Sequence, residues 1–257
     1  MRIIFVPCPH TVRRLPYPAI LSQEKRVRHL IVKLFGDSII GRVIQDPSTG
    51  RYRRMEPLED IQDHDRQLSF INRGKFGSTI SKGRKLIERQ LEGDPDCQVI
   101  LVGFGGNDCN FNWPEIGKNP SLDHEPSTPL DLFYRNYLHV IRRIKEAGIR
   151  LILTNLPPIN AEKFYDTWIA PDPAKDQILD WLGDKQAIYR WHEMYSLKVE
   201  AVARETDTPL LDLRSPFLES RTFQSLIGPD GMHPTEEGHG LILEAAREFI
   251  RLEVSKV

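Results

Sequence analysis

Residues 29–38, which read HLIVKLFGDS, are the stretch that decides how this chain is expected to fold. The first seven form an apolar run with the length and composition of a buried parallel strand. Gly36 then lets the backbone leave the strand sharply, which puts Ser38 at its carboxyl end. Ligands of open parallel sheets bind at that edge, so Ser38 is a candidate nucleophile. A Gly-Asp-Ser tripeptide alone is more often an ordinary turn, and the interpretation therefore depends on partners elsewhere in the chain.

The composition of the chain limits the classes of ligand and partner that can be expected. The chain has 257 residues and is 40% hydrophobic, which suits one large domain. Its net charge at pH 7 is -1, which gives no reason to expect nucleic acid or an acidic membrane surface as a partner. Cys8, Cys97 and Cys109 are odd in number and lack metal-ligand spacing, which argues against a disulfide framework or zinc site. The apolar run at residues 3–6 is too short for a signal peptide or membrane span. We therefore expect a cytoplasmic protein that acts on a small molecule.

The start of the chain is predicted to be separate from the main domain. Residues 1–28 carry four prolines and a basic cluster at residues 25–28. We expect an N-terminal extension over residues 1–28 and one domain over residues 29–257. The extension can add an edge strand, wrap the surface or mediate self-association, and the sequence leaves these choices, including a homo-oligomer, open.

Four further apolar runs are predicted as strands, and two of them end in candidate binding groups. They lie at residues 67–71, 98–102, 150–154 and 209–213. The first leads to Gly74, at a corner where a bare backbone N–H can face a ligand, and Ser78 or Thr79 is expected to cap the helix that follows. The second leads into GFGGND, in which the Asn107 amide can stabilise an oxyanion. That stretch lacks the glycine spacing of a nucleotide-binding loop.

A hairpin is predicted close to Ser38. Residues 39–45 and 51–55 flank the turn DPSTG and predict a hairpin, either a flap over the site that carries Arg51, Arg53 and Arg54, or a solvated ribbon.

Aromatic residues are concentrated in two predicted cap regions. Residues 109–129 are expected to be irregular and contain Trp113, and residues 159–184 contain Trp168. Both tryptophans are candidate substrate contacts, with a place in the core as the alternative for each. Trp191 is assigned to the core-facing stripe of a helix instead.

The stretch PDGMHP, residues 229–234, supplies the groups that a serine nucleophile needs. Asp230 and His233 are three positions apart, just ahead of a predicted helix at residues 235–252. His233 can accept the Ser38 proton while Asp230 holds the other ring nitrogen. An Asp-x-x-His pair before a helix is, in isolation, more often capping or surface chemistry. His239 is a competing base, but it falls inside the helix.

The combination of these motifs resembles the SGNH hydrolases, also called the GDSL esterase/lipase family. The resemblance rests on Gly36-Asp37-Ser38, the corner at residues 72–74, residues 105–108 and Asp230-x-x-His233, in that order, and it spans about residues 30–253. It implies a three-layer α/β/α, flavodoxin-like fold with a five-stranded parallel sheet. One departure is visible, since Ile39-Ile40 replaces the Ile/Leu-Thr that commonly follows the family's serine.

The resemblance also implies the chemistry of the site. Ser38 matches the nucleophile, His233 the general base and then acid, and Asp230 the orienting acid. The oxyanion hole corresponds to the N–H groups of Ser38 and Gly74 with the Asn107 side chain, while Asp37 and Asp108 match positions that brace loops.

The expected activity is that of an esterase or lipase that needs no cofactor or metal. Its substrates would be esters of a small, carbohydrate or lipid type. An acyltransferase with the same three residues and a non-catalytic ligand-binding protein remain the alternatives.

Overall fold

The computed structural model describes residues 28–63, 66–93 and 95–254, so the predicted extension lies almost wholly outside the described residues. The strands are β1 (Arg28–Gly36), β2 (Val43–Gln45), β3 (Tyr52–Arg54), β4 (Ile61–Asp63), β5 (Arg66–Asn72), β6 (Val99–Gly103), β7 (Arg150–Thr154) and β8 (Leu210–Leu211). The helices are α1 (Ile80–Glu92), α2 (Trp113–Lys118), α3 (Leu130–Glu146), α4 (Ala161–Phe164), a π-helical turn (Tyr165–Ile169), α5 (Lys175–Leu182), α6 (Gln186–Glu205), α7 (Ser215–Glu219), α8 (Phe223–Leu226) and α9 (Glu236–Val254).

The main sheet has the order β4-β5-β1-β6-β7-β8. Its last five strands are all parallel, as predicted, and they have the strand order of flavodoxin-like folds. β4 adds an antiparallel edge strand beside β5 that was not predicted. The predicted hairpin is confirmed as the antiparallel pair β2 and β3.

Alternation of side chains along the strands gives the sheet two apolar faces. In β1, Phe35 belongs to the core on one side, where α1, α3 and α6 pack. Leu34 belongs to the core on the other side, where α9 packs. The fold is therefore the three-layer α/β/α arrangement that was predicted.

The register of the sheet brings the loops after three strands to one edge. Leu34 of β1 lies beside Asn72 at the end of β5, and Gly36 lies beside Gly103 at the end of β6. A side chain at Gly36 would place its Cβ 2.5 Å from the Gly103 carbonyl oxygen, so a glycine is required where the chain turns towards Ser38.

Two local expectations are wrong. Thr79 occupies the N-cap position of α1, but its side chain makes no capping bond. The Ile80 N–H donates instead to both carboxylate oxygens of Asp108, at 3.0 and 3.1 Å, so a residue of the next loop caps this helix. The stretch at residues 109–129 is not wholly irregular, because Pro114 at the start of α2 suits the first turn of a helix.

Candidate active site

Ser38 lies one residue beyond Asp37, in the turn that follows β1. The Ser38 side chain is buried, as is Asp37. An oxygen of the Asp37 carboxylate accepts the N–H of Ile39 at 2.9 Å, which holds the turn around the serine. Burial raises the pKa of Asp37 from 3.8 to about 6, although hydrogen bonds from backbone N–H groups oppose the shift. Asp37 therefore braces the loop, as predicted.

His233 and Asp230 are brought to Ser38 by the turn before α9. Nε2 of His233 lies 2.9 Å from the Ser38 Oγ, and Nδ1 lies 2.5 Å from Oδ2 of Asp230. Oδ1 of Asp230 accepts the backbone N–H groups of Met232 and His233, each at 3.0 Å. The three predicted side chains thus form one hydrogen-bonded chain, and the Asp230 carboxylate is fixed on both oxygens.

The surroundings of Asp230 favour its ionised form. Burial opposes ionisation, but hydrogen bonds from the His233 ring and from two backbone N–H groups hold the pKa of the carboxyl below its usual value. An ionised carboxylate beside Nδ1 keeps the proton there and leaves Nε2 to accept the proton of a neighbouring hydroxyl. The arrangement can therefore convert Ser38 into a nucleophile.

His239 does not compete for this role. Its Nε2 bonds to the carbonyl oxygen of Val43 at 3.1 Å, and its side chain is buried within α9. Burial lowers the pKa of His239 to about 4. A neutral histidine that is bonded to the backbone packs the helix against the hairpin.

The predicted oxyanion donors differ in availability. Among the described residues, the Ser38 N–H has no acceptor, and one Asn107 N–H donates to the carbonyl of Ser78 at 3.2 Å, which leaves its second N–H. The Gly74 N–H, in contrast, donates to Oδ1 of Asn72 at 2.9 Å. Gly74 also packs against Gly41 so closely that an added Cβ would lie 2.4 Å from the Gly41 nitrogen. This geometry does not support Gly74 as a donor, because its N–H is already used within the protein.

Three aromatic residues lie beside His233 and Asp230. The Phe76 ring stacks on the imidazole with 5.6 Å between ring centroids and 7° between planes, and the Tyr52 ring lies 5.1 Å from it. Trp168 stacks on Tyr52 at 6.5 Å and donates its Nε1–H to the Asp230 carbonyl at 3.2 Å. Phe76 and Trp168 are partly open to solvent, with 53% and 38% of their surface exposed. Sequence reasoning missed Tyr52 and Phe76 as site residues, since neither belongs to a periodic pattern.

Of the two predicted tryptophan contacts, only Trp168 lies next to the proposed catalytic residues, through its contact with the Asp230 carbonyl. Trp113 is buried in an apolar cluster formed by α2, α4, the π-helical turn and α5. Its Nε1–H is bonded to Oδ1 of Asn110 at 3.0 Å. Trp113 therefore packs the cap. Trp191 is half-buried against the core, as predicted.

Comparisons with known proteins identify the family of the chain. The model of the GDSL-like Lipase/Acylhydrolase family matches residues 34–241. The chain belongs to this family. No curated protein matches the sequence itself.

Solved structures of other family members share the fold of this acylhydrolase. A lipase/acylhydrolase from Enterococcus faecalis is 15% identical, with a TM-score of 0.55, over 88% of this chain and 96% of that one. A GDSL-like lipase from Bacteroides thetaiotaomicron is 18% identical, with a TM-score of 0.55, over 89% of each chain. A catalytic mutant of an acetylxylan esterase from Geobacillus stearothermophilus is 16% identical, with a TM-score of 0.54, over 87% and 96%. The chain is thus an esterase/lipase-type hydrolase.

Two cavities of different size approach the acylhydrolase site. One of about 20 Å³ lies beside Ser38 and Asn107, with Leu156, Pro157 and Met232 in its wall. One of about 370 Å³ lies between the sheet and α9 and is lined mainly by apolar side chains. The two share the residues Ile39, Ile40, Thr154 and Leu213.

Neither a cluster of metal ligands nor a membrane-spanning helix is found among the described residues. Within residues 28–63, 66–93 and 95–254, no group of three or more His, Cys, Asp or Glu side chains is placed to hold a metal ion. Every helix in these ranges is too short or too polar to cross a membrane.

Proposed function

We propose that this enzyme hydrolyses carboxylic esters by a two-step acyl transfer through Ser38, His233 and Asp230. The observation that carries the proposal is the continuous hydrogen-bonded chain from the Asp230 carboxylate through the imidazole to the Ser38 Oγ, with contacts of 2.5 and 2.9 Å. These are the contacts by which a base activates a hydroxyl and a carboxylate orients the base.

In the first step, the Ser38 Oγ attacks the ester carbonyl carbon while its proton passes to Nε2 of His233. The tetrahedral intermediate collapses, the bond to the alcohol oxygen breaks, and the imidazolium returns the proton to the departing alkoxide. In the second step, water attacks the acyl-enzyme, again giving its proton to His233. The acid leaves, and Ser38 regains its proton. Asp230 stays ionised and stabilises the imidazolium in both steps.

The negative oxygen of each tetrahedral intermediate needs donors that are not already occupied. We assign the Ser38 N–H and the second N–H of Asn107 to this role. Gly74 is left out of this assignment, because its N–H already donates to Oδ1 of Asn72.

The shape of the site favours a short acyl group. The cavity beside Ser38, at about 20 Å³, exceeds by little the roughly 10–15 Å³ that one water molecule needs. An acetyl methyl group fits this space, whereas a long chain does not.

The alcohol part of the ester would lie on the exposed aromatic surface formed by Phe76 and Trp168, which suits an apolar or ring-shaped group. An acetylated sugar meets both conditions, and one of the fold neighbours is an acetylxylan esterase.

The test compares the wild type with Ser38→Ala and Ser127→Ala on p-nitrophenyl acetate. Ser127 is exposed and bonds only to the backbone of Asn110, so it is the matched control. We expect Ser38→Ala to lower kcat/KM by more than about a thousandfold and to abolish labelling by a fluorophosphonate probe, with unchanged circular dichroism. Full turnover by a clean preparation of Ser38→Ala would refute the proposal. Acyl transfer to an added alcohol in preference to water would identify an acyltransferase instead.

A further inference from the structure

The Asp230 carboxylate accepts one hydrogen bond that does not come from its own turn. The Tyr52 hydroxyl, on strand β3 of the hairpin, donates to Oδ2 of Asp230 at 3.0 Å. Oδ2 is also the oxygen that contacts Nδ1 of His233. With the two backbone N–H groups on Oδ1, the carboxylate has four donors, and Tyr52 supplies the one from a segment 178 positions away.

The environment of Tyr52 keeps its hydroxyl in the form that can donate. Burial and the adjacent Asp230 charge raise the pKa of Tyr52 well above its ordinary value. The ring packs between Trp168 on one side and Phe76 and His233 on the other. The side chain is thus held in place by its ring as well as by its hydroxyl.

The residues that follow Tyr52 attach the same strand to two other parts of the site. Arg54 donates to the carbonyl of Gly74 at 2.7 Å, and Arg53 pairs with Glu236 in the first turn of α9. The hairpin is therefore joined to the Gly74 corner, to α9 and to the Asp230 turn. Of the two alternatives for this hairpin, these contacts favour a flap on the site over a solvated ribbon.

We propose that Tyr52 is a positioning residue of this active site, whose hydroxyl holds the Asp230 carboxylate in the orientation that presents Nε2 of His233 to Ser38. The inference rests on the proposed function of Ser38, His233 and Asp230. Tyr52 acts through Asp230, because its hydroxyl bonds to the carboxylate and its ring packs beside the imidazole. Loss of the hydroxyl removes one of the two donors on Oδ2, so the carboxylate is held less firmly in its orientation towards the imidazole.

Tyr52→Phe removes this bond and keeps the ring packing. Tyr134→Phe is the matched control, because the Tyr134 hydroxyl also donates to a carboxylate, Oε2 of Glu205 at 2.8 Å, between α3 and α6. We expect Tyr52→Phe to lower kcat on p-nitrophenyl acetate by about tenfold, the scale of one hydrogen bond to a charged group, with KM changed less than about twofold. Tyr134→Phe should leave both constants unchanged. A residue with only a structural role would not produce this separation of kcat from KM.

A second measurement does not depend on ester cleavage. The proton between Nδ1 of His233 and Asp230 gives a downfield proton NMR resonance that can be assigned by its loss in His233→Ala. We expect this resonance to shift or broaden in Tyr52→Phe and to stay unchanged in Tyr134→Phe. If the wild type cleaves no ester, the proposed function fails, while the resonance still tests the contact of Tyr52 with the Asp230–His233 pair.

Two results would overturn the assignment of Tyr52. One is a Tyr52→Phe protein with wild-type kcat and an unshifted resonance, and the other is an equal loss of kcat in Tyr134→Phe. If Tyr52→Phe does not fold, incorporation of 3-fluorotyrosine at position 52 replaces it. This side chain keeps the ring and is a more acidic donor, so it should keep kcat within about threefold of the wild type and move the resonance. An unmoved resonance would then overturn the assignment.

Discussion

Nε2 of His233 lies 2.9 Å from Oγ of Ser38, although 195 positions separate the two residues in the chain. One group comes from the turn after β1 and the other from the turn before α9, so neither belongs to the apolar cores on the two faces of the sheet. Substitution of the polar residues at this edge of the sheet should therefore change the activity of the site more than the stability of the fold.

Substitution of Asn107 tests this separation of activity from stability. Asn107→Ala removes the amide that we assign to the oxyanion, and we expect kcat to fall by about a hundredfold to a thousandfold, the usual effect of losing one such donor. Asn119→Ala is the control, because Asn119 is exposed and its amide donates to Glu115 on α2. Steady-state kinetics with p-nitrophenyl acetate and a thermal unfolding curve for each variant give the answer. Equal kcat for Asn107→Ala and the wild type would remove Asn107 from the oxyanion hole.

Alanine substitutions at Gly74 and Gly77 should destabilise the fold to different extents. An alanine at position 74 would meet the backbone of Gly41, with its Cβ 2.4 Å from nitrogen and 2.7 Å from Cα, and the backbone cannot move aside easily. Gly77 has a φ of +66° and open space around it. We expect Gly74→Ala to lower the free energy of unfolding by about 3 kcal/mol, near the upper end for overpacking, and Gly77→Ala to lower it by about 1 kcal/mol from backbone strain. Urea unfolding measures both, and the reverse order would contradict the packing observed here.

The sequence was sufficient to predict most of the site because its groups follow apolar runs. Ser38 and Asn107 come after strands whose composition marks them as buried and parallel, and the carboxyl ends of such strands meet at one edge. The position of His233 followed from the turn before a helix and from the family resemblance. These signals are local, or they belong to motifs in a fixed order.

The parts that the sequence did not reveal depend on contacts between distant segments. The capping of Ile80 by Asp108 and the bond from Tyr52 to Asp230 each join residues far apart in the chain. No periodicity encodes which polar side chain meets which backbone group, so these contacts could be found only in the folded structure.

Acyl chain length should be limited by the cavity beside Ser38. We expect kcat/KM to be at least about tenfold higher for p-nitrophenyl acetate than for the octanoate ester, since a cavity of about 20 Å³ admits a methyl group but not a chain. Both esters release the same chromophore, so the rates compare directly at concentrations below micelle formation. A preference for octanoate would mean that the chain leaves this cavity and reaches another surface, such as the apolar cavity that shares Ile39 and Ile40 with it.

The buried carboxyl of Asp108 should contribute less to the stability of the fold as the pH rises. Burial raises the pKa of Asp108 from 3.8 to about 7, even though the carboxyl accepts the Ile80 N–H. Between about pH 4 and about pH 7 the folded protein therefore holds a proton on Asp108 that the unfolded chain has released, and the contribution of Asp108 to the free energy of unfolding falls as the pH increases through this window.

Asp108→Asn keeps an oxygen acceptor for the Ile80 N–H but does not titrate. We expect the free energy of unfolding of the wild type, measured in urea, to decrease relative to that of Asp108→Asn as the pH rises from about 4 to about 7. Asp37, whose pKa burial raises to about 6, contributes a slope of the same sign in both proteins, while His192 and His239, whose pKa values burial lowers to about 3 and about 4, contribute slopes of the opposite sign in both. Identical slopes for the two proteins would show that Asp108 is already ionised in the folded state at pH 4.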